Sequence, residues 1–116
     1  MKKVISIGEA LIDFIPHEKG VALKDVSNFF RVAGGAPLNV AAAVAKLGGK
    51  AQMLTKLGVD GFGDHILEEV SPLGVDVSKV LRTKEANTAL AFVSLKEDGE
   101  RDFSFYRNHN IPSKHM

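Results

Sequence analysis

An acidic residue stands inside an apolar segment near the start of the chain. In an extended conformation Asp13 shares a strand face with Leu11 and Ile15. A carboxylate between aliphatic neighbours is costly unless it is solvated, paired or turned toward a ligand. In the last case it can accept hydrogen bonds from the hydroxyl groups of a polar small molecule. The alternative is that Asp13 lies on an exposed edge strand and is simply solvated.

Two consecutive glycines precede a predicted helix and an asparagine. Gly34 and Gly35 allow the backbone to approach a ligand closely, and the first turn of the following helix offers unpaired N–H donors. Asn39 adds an amide donor and acceptor to the same turn. These residues could therefore bind a polar ligand. They could equally be an ordinary joint between a loop and a helix.

Aromatic and basic residues alternate near the end of the chain. Phe103, Phe105 and Arg107 share one face of a predicted strand, and Phe92 lies on the strand predicted to pair with it. An arginine among aromatic rings can hold a carboxylate or a polyol. Arg107 could instead be a solvated residue at the rim of the sheet, and Phe92 could belong to the core.

The elements that must position these residues alternate between strand and helix. Apolar runs predict strands at 4–7, 10–15, 28–33 and 51–57, and a weaker run predicts one at 77–83. Alanine-rich, helix-period sequence predicts a helix from Pro37 to Leu47 that ends at Gly48 and Gly49. The first strand, this helix and the 51–57 strand predict a parallel β-α-β unit.

The remaining elements are a second helix and a hairpin. Residues 64–70 predict an amphipathic helix, and residues 88–107 predict two antiparallel strands around an Asp-Gly turn. The turn between Gly58 and Gly63 reads G-x-x-G-x-G, which is the wrong order for the dinucleotide-binding fingerprint. The fold class predicted is therefore α/β with additional antiparallel strands.

Composition excludes several classes of function. The chain has 116 residues, a formal net charge of +1, four dispersed histidines and no cysteine. Thiolate metal sites, disulfides and thiol catalysis are excluded, and no basic stripe indicates nucleic-acid binding. The apolar stretches are interrupted by charges, glycine or proline, so neither a signal peptide nor a membrane span is predicted. We expect a cytoplasmic protein that binds neither nucleic acid nor membrane, and no metal site.

Five segments in order resemble the ribokinase-like (pfkB-type) carbohydrate kinases, with the bacterial fructokinases as the nearest subfamily. These segments are SIGEALIDF, GGAPLNVAAAVAKLG, KLGVDGFGD, GVDVSKV and TALAFVSLKEDGERDFSFYRN. The resemblance implies the N-terminal part of a ribokinase-like, doubly wound α/β domain over residues 1–108. It also implies a small antiparallel lid from strands near 11–16, 28–33 and 88–107.

The resemblance also implies a sugar site. Asp13 and Asn39 would hold sugar hydroxyls, Gly34 and Gly35 would admit the ring, and Phe92, Phe105 and Arg107 would be contacts from the lid. Family members use ATP and Mg²⁺ to phosphorylate a sugar hydroxyl, and in some relatives the lid forms a homodimer interface.

The chain departs from the family pattern in two places. The family's catalytic Gly-Ala-Gly-Asp motif is not in these 116 residues. Asp64 is not its equivalent, so we expect an inactive, sugar-binding fragment with no catalytic residue that binds neither ATP nor Mg²⁺ by itself. Residues 109–116 form a divergent tail. The alternatives are a non-catalytic binding fragment or gene remnant, and a fragment of a nucleoside or 2-keto-3-deoxygluconate kinase.

Overall fold

The structure, a computed structural model, describes residues 2–98 and 100–107. Over these residues the chain forms two α-helices, nine strands and two short 3₁₀ turns at Leu23–Asp25 and Ser71–Leu73. The strands and helices in chain order are β1 (Lys3–Ile7), β2 (Leu11–Pro16), β3 (Phe29–Gly34), α1 (Ala36–Lys46), β4 (Lys50–Leu54), β5 (Lys56–Gly58), α2 (Gly61–Val70), β6 (Val75–Asp76), β7 (Leu81–Thr83), β8 (Ala89–Leu95) and β9 (Arg101–Tyr106). The predicted tail at 109–116 lies outside the described residues.

A parallel sheet carries the predicted β-α-β unit. Its strand order is β1-β4-β6, and β1 pairs with β4 in parallel, with Val4 opposite Ala51. Helix α1 begins at Ala36 with Pro37 in its first turn, where the missing N–H of proline costs no hydrogen bond. We call this sheet, the small parallel pair β5-β7 and the two helices the body.

Two predicted strands differ from those observed. The strand predicted over 51–57 is divided at Thr55 into β4 and β5. The strand predicted over 77–83 is observed only as β7 at Leu81–Thr83, and the preceding strand β6 ends at Asp76. Between them the N–H of Ser78 donates to Oδ1 of Asp76 at 2.9 Å, a local turn that replaces the extended conformation.

A second sheet, in the order β3-β2-β8-β9, forms what we call the lid. Strands occur at all three places where the lid was predicted. The sheet is mixed rather than wholly antiparallel, because β2 runs parallel to β8 between two antiparallel pairs. β2 therefore has a hydrogen-bonded neighbour on each side. The alternative considered for Asp13, an exposed edge strand, is wrong.

The main core joins body and lid. It comprises buried residues from β2 to β6, from both helices and from the residue before β2: Ala10, Ile12, Ala33, Leu38, Ala41, Ala51, Met53, Leu57, Ile66, Val70 and Val75. α1 buries Leu38 and Ala41 but leaves Leu47 exposed. Of the described residues, none lies in a helix that is long and apolar enough to cross a bilayer.

One edge of the body has no strand beside it among the described residues. β1 pairs only with β4, and its Val4, Ile5 and Ile7 are 40–65% exposed. Parallel sheets are normally covered on both faces and managed at their edges. β1 is therefore an apolar strand with an open edge.

A matched pair of leucines in α1 tests this description of the core. Leu38 is 2% exposed and Leu47 is 88% exposed. We expect Leu38→Ala to lower the free energy of unfolding by about 2–5 kcal/mol, because it removes buried methyl groups and leaves a cavity. Leu47→Ala should change it by less than about 0.5 kcal/mol. Urea unfolding followed by circular dichroism measures both, and equal losses would contradict the burial described.

Candidate functional site

Asp13 lies on the wall of an open cavity between lid and body. In the lid, Asp13 is aligned with Ala91 of β8, which is aligned with Phe105 of β9, so these side chains occupy one face of the sheet. The cavity holds about 370 Å³, within the roughly 300–1,000 Å³ typical of small-molecule sites. It is lined by Glu9, Leu11, Asp13, Gly35, Ala36, Pro37, Phe103, Phe105 and Arg107.

The Asp13 carboxylate is half-buried and available to a ligand. Burial raises the pKa of Asp13, and the charge of Arg101 offsets part of this rise. None of the hydrogen bonds between described residues ends on this carboxylate, so both oxygens can accept from a ligand. An ionised carboxylate accepting from hydroxyl groups forms the stronger, charge-assisted kind of hydrogen bond.

The two glycines are required by the packing around Asp13. A Cβ on Gly34 would collide with Oδ2 of Asp13, and a Cβ on Gly35 would lie 2.6 Å from the carbonyl oxygen of Glu9. Gly35 also has φ +100°, which residues with a Cβ rarely adopt. Gly35 lines the cavity itself, whereas Gly34 lies behind Asp13.

Asn39 lies near the cavity but does not line it. It is exposed in the first turns of α1, and its backbone N–H donates to the carbonyl of Gly35 at 2.9 Å. Asn39 follows Ala36 by three residues, so the two share a side of the helix. The structure therefore brings Asp13 and the glycines together and leaves Asn39 on the adjoining surface.

Arg107 is held at the mouth of the cavity by a residue that the sequence analysis did not select. Its Nε donates to Oε2 of Glu9 at 2.7 Å and its Nη2 donates to Oε1 at 2.5 Å. The guanidinium also stacks 4.1 Å from the centre of the Phe105 ring. In the sequence, Glu9 only interrupts an apolar run, and no local pattern pairs it with a residue 98 positions away.

Phe92 lies on the opposite face of the lid from Asp13. It is aligned with Phe14 and Ser104, and its ring stacks on that of Phe14 with centroids 4.8 Å apart. Phe29 and Tyr106 complete this aromatic cluster. The cavity beside Asp13 therefore does not include Phe92, because alternate residues of a strand point to opposite faces.

No three His, Asp or Glu side chains among the described residues are grouped as metal ligands. The carboxylates in the cavity, Asp13 and Glu9, would repel phosphate groups. The arrangement fits a neutral, hydroxyl-rich ligand better than a triphosphate.

Comparisons with known proteins agree with this geometry. The profile described as "pfkB family carbohydrate kinase" matches residues 1–115. The chain is 51% identical over 105 residues to "Probable fructokinase-2" of Arabidopsis thaliana and 49% identical to "Fructokinase-2" of Zea mays. Each alignment covers 90% of this chain and 31–32% of the relative. The chain thus spans about a third of the length of these relatives.

Solved structures show the same likeness. The ATP-bound fructokinase from Xylella fastidiosa superposes with a TM-score of 0.80 at 45% identity, covering 96% of this chain and 34% of that one. A sugar kinase from Pyrococcus horikoshii in complex with ATP superposes with a TM-score of 0.85 at 39% identity, covering 95% and 35%. The predicted α/β, ribokinase-like fold class is confirmed, and this chain belongs to the pfkB family of carbohydrate kinases.

Proposed function

We propose that this chain is the sugar-binding, N-terminal part of a fructokinase-like enzyme that transfers a phosphoryl group from ATP to a sugar hydroxyl. The observation that carries the proposal is the half-buried Asp13 carboxylate, with both oxygens available, beside Gly35 in the open cavity between lid and body. The likeness to fructokinases over most of the chain supports it.

Each cavity residue has a role in this proposal. Asp13 accepts hydrogen bonds from two sugar hydroxyls, and Gly35 lets the ring approach the backbone. Phe105 covers the apolar C–H face of the sugar. Arg107 keeps unpaired N–H groups after binding Glu9, and these donate to the sugar. Asn39 and Gly34 act from outside the cavity, Asn39 as a further hydroxyl ligand and Gly34 by making room for Asp13.

The charges of the cavity favour a neutral sugar. Glu9 already occupies two donors of Arg107, and Asp13 leaves the lining with a net negative charge when both acids are ionised. A sugar acid such as 2-keto-3-deoxygluconate would bring a third carboxylate to the same place. D-Fructose is therefore the substrate we propose.

The complete reaction needs residues other than those described. Phosphoryl transfer depends on a base for the acceptor hydroxyl and on cations around the phosphates, and we infer that ATP and Mg²⁺ bind elsewhere in the whole enzyme. This chain would position the acceptor hydroxyl of the sugar, and its lid would exclude water from the cavity. Its location in the cytoplasm and the formation of a homodimer through the lid stay predictions.

Removing the Asp13 charge tests the sugar site. We expect D-fructose to bind the 116-residue chain, and Asp13→Asn to weaken that binding about 10- to 100-fold, because charge-assisted hydrogen bonds are lost. Asp25→Asn is the matched control, since Asp25 is exposed and pairs only with neighbouring Lys24 among the described residues. Isothermal titration calorimetry measures both. Unchanged affinity in Asp13→Asn, or no binding by the wild-type chain, would refute the site.

The pH dependence of binding follows from the ionisation of Asp13. Burial raises the pKa of Asp13 above its ordinary 3.8, and the protonated acid is a poorer acceptor. The affinity for D-fructose should therefore be constant near neutral pH and fall as the pH drops through this raised pKa. Calorimetric titrations from pH 7.5 downward measure the profile, and Asp13→Asn should lack the step. A step of equal size in Asp13→Asn would assign it to another group.

The 116-residue chain by itself should not catalyse phosphorylation of D-fructose. With D-fructose and Mg-ATP we expect no ADP above background, because the 116 residues do not contain the family's catalytic Gly-Ala-Gly-Asp motif. A coupled assay for ADP measures this, with hexokinase and D-fructose as the positive control. Turnover in the range of about 1–100 s⁻¹, typical of kinases, would overturn the assignment of inactivity.

A further inference from the structure

The turn between β5 and α2 contains a hydrogen-bonded network that the sugar site does not use. Asp60 precedes α2, and its Oδ1 accepts from the backbone N–H of Gly63 at 2.8 Å. This is an N-cap, and it explains why α2 begins at Gly61 rather than at Asp64 as predicted.

The same carboxylate also reaches the lid. Oδ1 of Asp60 accepts from the Thr88 hydroxyl at 2.8 Å, and Oδ2 accepts from the Thr88 N–H at 2.9 Å. Thr88 is 3% exposed and directly precedes β8, the lid strand that pairs with β2. Its hydroxyl in turn accepts from the N–H of Gly58 at 3.0 Å. Thr88 thus bonds to β5 and to the cap of α2 at once.

Arg82 closes the network from β7. Its Nε and Nη2 donate to the carbonyl of Gly58 at 3.0 and 2.9 Å, and Nη2 also donates to Oδ1 of Asp64 at 2.8 Å. Gly63 must lack a side chain here, because a Cβ would lie 2.5 Å from the Gly58 carbonyl. The G-V-D-x-F-G-D segment therefore has a structural explanation that needs no phosphate.

The ionised form of Asp60 suits this role. Burial alone would raise its pKa, but hydrogen bonds from Thr88 and Gly63 outweigh burial and hold the pKa below its ordinary value. The carboxylate accepts three hydrogen bonds from the described residues, each of which favours its ionised form.

We propose that Asp60 and Thr88 are positioning residues that fix the start of β8 to the body and thereby hold the lid over the cavity beside Asp13. A second contact supports the same junction, because Phe62, two residues after Asp60, packs edge-on against Phe14 of β2 with centroids 5.8 Å apart. Phe14 is the neighbour of Asp13, so the junction touches both central strands of the lid.

Amide hydrogen exchange of the full chain separates this role from general stability. Thr88→Val keeps the shape of the side chain but removes its hydroxyl. Oδ1 of Asp60 then loses a hydrogen-bond donor, and the N–H of Gly58 loses its acceptor. We expect amides of β8 and β9 to exchange about 5- to 30-fold faster, with those of β1, β4 and α1 unchanged, as in a local opening. Equal acceleration of every element, or none, would overturn the proposal.

Two variants control for the substitution. Thr83→Val removes a hydroxyl that, among the described residues, accepts only from the N–H of Glu85 just after β7, and it should leave lid exchange unchanged. Thr88→Ser retains the hydroxyl and should restore wild-type exchange. If Thr88→Val does not fold, Asp60→Asn is the second variant. It keeps an oxygen to cap α2 but replaces the acceptor of the Thr88 N–H by an amide NH₂ group, and it should accelerate exchange in the lid. Wild-type exchange throughout in Asp60→Asn would then refute the proposal.

The exchange measurement needs no ligand, whereas a further effect on sugar affinity rests on the proposed function. Thr88→Val should weaken D-fructose binding about tenfold, because part of the binding energy is spent on ordering the lid, and Thr83→Val should not. If the wild-type chain fails to bind D-fructose, the proposed function fails while the exchange result stands. Wild-type affinity in a Thr88→Val variant with a loosened lid would show that the junction does not serve the site.

Discussion

The pairing of β2 with a neighbour on each side is the constraint on which the site depends. β3 and β8 flank this strand, so Asp13 is fixed on the cavity face and Ile12 and Phe14 on the other. The carboxylate can lie there only because Gly34, which is aligned with Leu11 on β3, has no side chain to collide with it. Burial and the missing Cβ together produce an acid with a raised pKa and unoccupied oxygens, which is what a hydroxyl-binding group requires. A strand paired on one side would let the same residue turn into water.

The two faces of the lid make different contacts. One face carries Asp13, Phe103, Phe105 and the Arg107–Glu9 pair around the cavity, whereas the other packs Phe14, Phe29, Phe92 and Tyr106 into an aromatic cluster. Phe62 of the body contacts that cluster. The lid is therefore held to the body from behind and at its base, which leaves the ligand face open. Glu9 adds a further contact at the mouth of the cavity. It follows β1 of the body and accepts hydrogen bonds from Arg107, which follows β9 of the lid.

The sequence was informative where patterns are local and silent where distant strands meet. The alternation in 11–16, the alanine-rich helix and the Asp-Gly hairpin each depend on neighbouring residues, and all three elements were predicted. The face of Phe92 depends on the alignment of β8 with β2, and the partner of Arg107 depends on a contact across the whole chain. Neither the face of Phe92 nor the partner of Arg107 can be inferred from the neighbouring residues in the sequence. Asp60 is intermediate: an acid three residues before Gly63 is a readable N-cap signal, but its bond to Thr88 is not.

The open edge of β1 gives this chain a further property. Among the described residues, the backbone hydrogen-bonding groups of this strand are unpaired on one side, and its Val4, Ile5 and Ile7 are exposed. Such an edge is a template for strand addition. A further parallel strand placed there would gain backbone hydrogen bonds and apolar contacts together.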